Sequence, residues 1–499
     1  SEQYGSVRGD NCQLLSSSPS VFMTTEVQTS RQPTSVTVAI IGGGATGTMI
    51  AYHLLRERRD LGSGSVMIFE PRSKLGAGVA YGTKDPQHRI NVPASRMSID
   101  TNKPEDFADW LKWHSHKTCD PEAFLPSGEV YPTRSEFGRY LFERITPFLI
   151  NKTLQHIQDT VVSVQRHGDQ WRLQTAQGMI YVAAHVVIAT SHPAPALPVP
   201  LKEIAHDPRV ISDPWAKDAF KTVDPRARIA IIGTGLTMAD VVATLAAQGH
   251  LGPITAVSRR GLRSRGHSHG APSLFGDFST TPEKTAPDLL RRIRKTLTSA
   301  PERPWQDTLD AVRRQGKTIW TALPVVEQRR LVRHLRPFWD VHRFRIAPQV
   351  ERTLNLRAET GLLTVLAARI ESAEAHSDGL ALHIQERGRR RRTVYADILI
   401  NTTGPDHAGI LTTPGFLSRL AEDGFVQKDP VGLVLWTDED HSALVDGLPV
   451  FGLFVAGPLS RGTFGERMGL PEVTANAQSV AARLAGNLQN STYAEQVDS

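Results

Sequence analysis

At 499 residues, with 40% apolar and 22% charged side chains, the chain is long enough for two or three domains with full cores. A net charge of +6 suits anionic cofactors or substrates without calling for nucleic acid, and no apolar run approaches the ~20 residues of a membrane span. Two cysteines, Cys12 and Cys119, supply neither a disulfide framework nor a CxxC pair, which points to a reducing, cytoplasmic setting.

Residues 1–34, rich in Ser, Thr, Gln and Pro and without periodicity, predict a disordered N-terminal extension, with Met23 as a candidate natural start. Val36 to Ile41 is then an apolar, β-branched run that reads as a buried parallel strand. It leads into Gly42-x-Gly44-x-x-Gly47, an apolar-periodic helix to about Arg58, and a second strand, Val66 to Phe69, ending in Glu70. In a dinucleotide fold Gly42 permits the tight turn, Gly44 admits a pyrophosphate, and Gly47 lets the helix pack on the strand. The helix N-terminus offers N–H groups to phosphate, and Glu70, 23 residues after Gly47, can accept from a ribose.

A long Gly/Pro-rich stretch follows, in which Gly76-x-Gly78, Asn91-Val92-Pro93 and Met97-Ser98 are places where backbone passes close under a flat ring. A helix is expected from Pro104 to His114, and another opens near Arg134. Val161 to Val164, Trp171 to Thr175 and Met179 to Ala183 read as a β-meander. Val186 to Ala189 is a strand that breaks into a turn at Thr190, Ser191 and His192.

A second dinucleotide unit begins at Arg228. Ile229 to Ile232 is a strand, Gly233-x-Gly235 opens a helix through Leu245, and Ile254 to Ser258 is the next strand. Met238 fills the third glycine position. This strand ends in Arg259-Arg260 instead of an acid, which favours a 2′-phosphate and hence NADPH; the alternative is a pair of solvated strand-end charges.

Residues 267–355 are Arg-rich and predict a helical insertion. Strands are expected at Leu363 to Leu366, Ile370 to Ala375 and Leu380 to Gln385. The strand Tyr395 to Ile400 then repeats the strand-to-small-turn theme at Thr402-Thr403-Gly404. Leu453 to Val455 ends in a turn at Ala456-Gly457-Pro458, and a helix from Pro471 to about Leu484 stops at Gly486. The basic run Arg387, Arg389 to Arg392 is expected in a solvated hairpin turn. His114, His116, Cys119, His267 and His269 lack a second ligand pair at useful spacing, so no metal site is expected.

The order of two nucleotide units, the first completed by C-terminal sequence, resembles the two-dinucleotide-binding flavoproteins. These include disulfide reductases and class B flavin monooxygenases. Within them it resembles the FAD/NAD(P)-binding family whose members read GAGVAYGT, then H-x-x-NVPA-x-x-MS, then DFxxWL. The matching residues are Gly76 to Thr83, His88 to Ser98 and Asp106 to Leu111. The stretch Arg134 to Leu141 is similar to a segment of amine N-hydroxylases.

The resemblance implies an α/β fold of two Rossmann-like domains, one for FAD and one for NADPH, with the helical insertion. The FAD-binding domain is expected at 35–222 and 398–490, the NADPH-binding domain at 223–397 and a tail at 491–499. Gly42, Gly44, Gly47, Glu70, Asn91, Met97, Thr190, Thr403 and Gly457 are the candidate FAD contacts; Gly233, Gly235, Arg259 and Arg260 are those for NADPH.

The missing redox cysteine pair argues against disulfide reduction. The Baeyer–Villiger fingerprint FxGxxxHxxxW is absent. What remains is NADPH-dependent monooxygenation through a C4a-hydroperoxyflavin, with molecular oxygen as co-substrate, on nitrogen (or sulfur) of a small amine or amino-acid-like substrate. The alternatives are a flavin dehydrogenase or oxidase and a non-enzymatic, redox-sensing flavoprotein.

Asn91, Arg134, His342, Arg343 and Arg345 are the candidate catalytic residues. Guanidiniums at 336, 343 and 345 suit a carboxylate, unless they grip NADPH phosphate or form surface ion pairs.

Overall fold

The computed structural model describes residues 32–193, 195–268, 273–404, 408–464 and 469–497. The expected extension at 1–34 therefore lies almost wholly outside the described residues, as do Cys12 and His269. From residue 33 onward the chain forms one compact unit.

The first strand, β1 (Thr34–Ile41), is buried throughout Val38 to Ile41 and pairs in parallel with β2 (Val66–Phe69) and β6 (Ile180–Ile188). Because side chains alternate along a strand, Val38 and Ile40 face one core, where the helix Ala45–Glu57 meets the helix Glu472–Val497. Ala39 and Ile41 face a second core around Trp171, Leu173 and Val434. With β3 (Leu154–Ile157), β4 (Val161–His167), β5 (Gln170–Thr175), β14 (Ser442–Val445) and β15 (Leu448–Val455), they make an eight-stranded sheet with the path β14-β15-β6-β1-β2-β3.

The second sheet runs β12-β11-β10-β9-β8-β13-β7. Its members are β7 (Val210–Ile211), β8 (Ile229–Ile232), β9 (Ile254–Ser258), β10 (Leu363–His376), β11 (Gly379–Glu386), β12 (Arg391–Ala396) and β13 (Ile398–Asn401). Ile229 and Ile231 point into the same core that receives Val38 and Ile40, while Ala230 and Ile232 enter a separate one. One shared core thus lies under both sheets and brings their nucleotide turns together.

Several expectations change. β7 and β13 lie in spans expected to be FAD-binding, yet both belong to the second sheet, with β13 paired in parallel to β8. The two strands expected at Leu363 to Leu366 and Ile370 to Ala375 are one 14-residue strand, β10. It changes partner along its length, pairing first with β9 and then antiparallel with β11 across a bulge between Ile370 and Ser372.

The helical insertion holds helices Ala286–Ser299, Trp305–Arg314, Gly316–Ala322, Val325–His334 and Arg336–Arg343. The next helix, Pro348–Glu359, packs instead on Leu236–Ala247 as the crossover between β9 and β10.

The last helix continues through Gly486 to Val497, so Gly486 does not stop it and most of the expected tail is helical. Ala485 and Leu488 are buried in the shared core, and Arg58 Nη1 donates to the Ala485 carbonyl at 3.2 Å. That packing offsets the ~1 kcal/mol that glycine costs inside a helix.

Candidate active site at the meeting of two glycine turns

The two nucleotide turns have the same geometry. Gly42 and Gly233 both sit at φ 106°, a left-handed conformation that suits glycine. Gly42 N–H donates to Phe69 O and Gly233 N–H to Val257 O, both at 2.9 Å. A Cβ on Gly42 would lie 2.6 Å from Ala189 O, and one on Gly233 2.5 Å from Thr402 O. Each turn is thus wedged against the end of the neighbouring parallel strand, at Ala189–Thr190 and at Thr402, where the sequence predicts the two strand-to-turn breaks.

The helices that follow begin at Gly44 and Gly235, and neither has a side-chain cap or an acid in its first turn. Their N–H groups and positive dipole ends remain for an anion. Gly47 carries the tight packing in the first unit, where a Cβ would stand 1.9 Å from Gly42 O. In the second unit Met238 occupies that position and is fully buried in the shared core.

A cavity of about 490 Å3 runs from the first turn to the start of the second unit's helix; Gly233, Gly235, Arg259, Arg260, Thr403 and Gly457 are not among its lining residues. Gly42, Gly44, Thr46 and Glu70 line one end; Leu236, Thr237 and Asp240 bring in the second unit. Among the expected residues, Asn91, Met97, Arg134, Thr190, Arg343 and Arg345 also line it.

Glu70 is buried, with Oε2 accepting from Gly43 N–H and Oε1 from Arg72 N–H and Nη1, each at 3.0 Å. A carboxylate offers about four acceptor directions, so ribose hydroxyls can still donate to it. The Thr190 hydroxyl is buried without a partner among the described residues and faces the same space. Uncapped helix, glycine floor, acid and orphan hydroxyl fit FAD on the first turn.

The turn at Gly457 (φ 69°) is fixed by its N–H donating to Asn476 Oδ1 at 2.6 Å, and a Cβ there would meet Thr46 Oγ1 at 2.8 Å. Pro458, Leu470 and Val473 complete that wall.

At the second turn, no atom lies within 4 Å of where a Cβ on Gly235 would be, which leaves space above the helix start. Thr234 Oγ1 bridges Ser258 Oγ and the Leu262 carbonyl, fixing the loop that carries Arg259 and Arg260. Arg259 is exposed, and the Arg260 guanidinium lies 4.9 Å from the Phe338 ring centroid. Thr403 Oγ1 is bonded to Asn401 Oδ1 at 2.9 Å.

The candidate catalytic residues separate. Arg134 is buried and bound on both sides of its fork to Asp240, at 2.8 and 2.9 Å, while its Nε donates to Arg89 O. Arg345 is paired in the same two-pronged way with Asp310, at 3.0 and 2.8 Å. Arg343 reaches Glu472 Oε2 at 3.4 Å, which also receives Arg313 Nη2 at 2.5 Å. His342 is not among the lining residues. It faces a different, helical cavity, with its ring edge-on to Trp305. Asn91 lies on the wall, and its carbonyl accepts from His267 Nε2 at 2.9 Å.

Arg313, Asp310 and Arg72 have no signature in the sequence, because isolated charges on helices or loops carry no spacing signal. Trp215 is a wall residue, 6.0 Å from the Arg134 guanidinium and 5.2 Å from His88.

Two histidines on the wall are held neutral. Burial, reinforced by Arg345, pushes His267 down to about 3, and burial with the Arg461 and Arg336 charges pushes His192 to about 4. A neutral His267 that donates from Nε2 to Asn91 O carries its lone pair on Nδ1. Among the described residues there is no cluster of three His, Cys, Asp or Glu that could hold a metal.

Two Rossmann-type turns of the same geometry, one in each sheet, define the fold of the two-dinucleotide-binding flavoproteins. Residues 39–193, which carry the first turn, Glu70, Asn91, Met97, Arg134 and Thr190, match the model of a family described as FAD-NAD(P)-binding.

The whole fold is similar to that of ornithine hydroxylase from Pseudomonas aeruginosa, with a TM-score of 0.62 at 15% identity over 91% of this chain and 100% of that one. L-lysine 6-monooxygenase from Pseudomonas syringae gives 0.60 at 18% identity, over 91% and 99% of the two chains. The ornithine N-hydroxylase of Kutzneria sp. 744, solved with reduced FAD, NADP+ and L-ornithine, gives 0.58 at 16%, again over 91% and 99%. No curated protein matches the chain.

Proposed function

We propose that this protein is an FAD-dependent, NADPH-consuming monooxygenase that oxygenates nitrogen (or sulfur) of a small amine or amino-acid-like substrate. The observation that carries the reading is that the first glycine turn and the start of the second unit's helix line one cavity, together with apolar side chains such as Ile90, Val92 and Met97 and the guanidiniums of Arg313, Arg343 and Arg345. Solved structures of the same fold bear the names ornithine hydroxylase and lysine monooxygenase, which supports the choice of chemistry.

When bound, FAD supplies the activation of dioxygen with electrons drawn from NADPH. The chain's own residues do the rest. The first turn of Ala45–Glu57 holds the pyrophosphate of one dinucleotide, and that of Leu236–Ala247 the other. Glu70 takes the ribose of the first, and Arg259 and Arg260 take the 2′-phosphate of the second. Tyr81, Ile90, Val92, Met97 and Trp215 form a wall that excludes water from the reacting centre.

Arg345 is neutralised by Asp310, but Arg313 and Arg343 share the single carboxylate of Glu472, which leaves a net positive charge on that wall. A positive potential lowers the basicity of a nearby amine, which favours the neutral form with a free lone pair. The released proton passes to solvent, because His192 and His267 are both held far below neutral pH.

The test is product accounting with FAD-loaded protein, NADPH and a panel of amines and amino acids. Oxygenated product formed in step with NADPH consumption is the expected result. Stoichiometric hydrogen peroxide with every substrate would instead establish an oxidase, and no flavin reduction by NADPH would establish a non-enzymatic flavoprotein.

A further inference from the structure

The helical insertion holds a second cavity, of about 340 Å3. That size falls within the range of small-molecule sites, about 300–1,000 Å3. Its walls come from the faces of five helices, among them Leu289, Ile293, Ile319, Trp320, Leu331 and Trp339. Leu289, Ile319 and Leu323 belong to a small core of their own, and the cavity is a half-open chamber against it.

Arg313 and Phe344 line both this cavity and the larger one, so the two are adjacent with these side chains between them. Arg336 and Arg461 also stand on the wall, and both are close enough to His192, on the larger cavity, to depress its pKa. Arg313 is paired with Glu472, and Arg336 with Asp340, which also lines the chamber, so the positive charge on that side is the excess of guanidiniums over these carboxylates.

Resting on the oxygenase reading above, we propose that the substrate is an amino-acid-like anion with a large apolar side chain. Its carboxylate lies at the Arg313, Arg336 and Arg461 junction, its amine faces the larger cavity, and its apolar body fills the helical chamber. An ω-amino acid would put a polar chain among Leu, Ile and Trp side chains and lose the hydration of its ammonium group. An apolar side chain gains by burial there. The carboxylate sits within one carbon of the α-amine, which matches a cationic junction beside the larger cavity.

Gly316 supplies a clean test. It lines the chamber and a Cβ there would meet no atom within 4 Å, so a side chain can leave the backbone freely and a phenylalanine ring takes up chamber volume. Binding is measured by isothermal titration calorimetry on the full, FAD-loaded chain, using L-phenylalanine, L-ornithine and phenethylamine.

L-phenylalanine is expected to bind at least tenfold more tightly than L-ornithine or phenethylamine. Gly316→Phe, with its flavin absorbance retained, is expected to lose that binding tenfold or more. Equal binding of L-phenylalanine and L-ornithine overturns the proposal, as does unchanged binding in Gly316→Phe. Phenethylamine binding as tightly as L-phenylalanine removes the anionic junction and overturns it as well. The readout needs no turnover, so a failure of the oxygenase reading shows up separately, as peroxide without oxygenated product in the presence of a tightly bound ligand.

Discussion

Arg134, at the first position of a helix from the FAD-binding half, closes a two-pronged ion pair with Asp240 on the helix of the second nucleotide unit, at 2.8 and 2.9 Å. Both side chains are buried, and both line the larger cavity. The pair ties the first nucleotide unit to the second on that wall. Next to it a second bridge joins the same two halves, with Thr244 Oγ1 donating to Asp85 Oδ2 at 2.5 Å and lying 3.1 Å from His88 Nε2.

Removing one member of a buried pair leaves an uncompensated charge and costs about 3–5 kcal/mol. Asp240→Asn and Arg134→Ala are therefore each expected to lower stability by roughly that amount in urea unfolding. The double variant Arg134→Met with Asp240→Leu is expected to recover most of it. A loss below about 0.5 kcal/mol for both single variants would show the pair to be energetically idle.

The glycines of the two turns are expected to fail differently. Gly47→Ala places a methyl 1.9 Å from Gly42 O, against backbone that cannot yield, so the protein is expected to lose its flavin and much of its soluble yield. Gly235→Ala meets no atom within 4 Å. It is expected to fold with FAD bound while NADPH weakens about tenfold, a loss of ~1.4 kcal/mol, because the methyl stands where the phosphates approach. Flavin content and the KM for NADPH, measured side by side, separate the two outcomes.

Arg259 and Arg260 directly follow β9, next to Ser258, which stands where the first unit has Glu70. Hydrogen bonds to charged partners contribute about 1.5–3 kcal/mol each, so replacing both arginines with alanine is expected to raise the KM for NADPH by at least roughly 10–100-fold, the effect of losing one of them. The KM for NADH should change little. Equal loss for the two nucleotides would rule out recognition of the 2′-phosphate.

The pH dependence of stability follows from His267 and His192, whose folded-state values of about 3 and about 4 lie below the usual 6.5. The unfolded chain binds protons that the folded chain refuses. Stability from these groups is therefore fully present above pH 6.5 and is lost as pH falls toward 3, by about 1.4 kcal/mol per pH unit for each proton taken up. His53, His88, His185 and His250 are likewise lowered by burial and act in the same direction. Thermal unfolding between pH 4 and 7 should show a falling Tm, with a shallower slope in His267→Gln than in the parent protein. An unchanged slope would mean that His267 is not held neutral.

The sequence by itself determined both nucleotide units, because each is a local device. Strand, glycine turn, helix and following strand are specified within some 35 residues by side-chain size, by period and by the freedom of Gly42 and Gly233. Glu70 and Arg259-Arg260 could be told apart for the same reason, since each follows the second strand of its own unit.

What the tertiary structure decided are relationships across long stretches of chain. Asp240 and Arg134 are 106 residues apart, and Glu472 and Arg313 are 159 apart. No periodicity foretells that these charges meet, or that Arg345 is already held by Asp310. β10 reads as two strands because its interruption coincides with a change of partner, and only the sheet shows which partner each part takes. Gly486 reads as a helix stop because local propensity says so, and the helix passes through it because Ala485 and Leu488 have a core to enter. The helical chamber beside Arg313 and Phe344 has no local signature, since a void is a property of how five helices pack and of none of them alone.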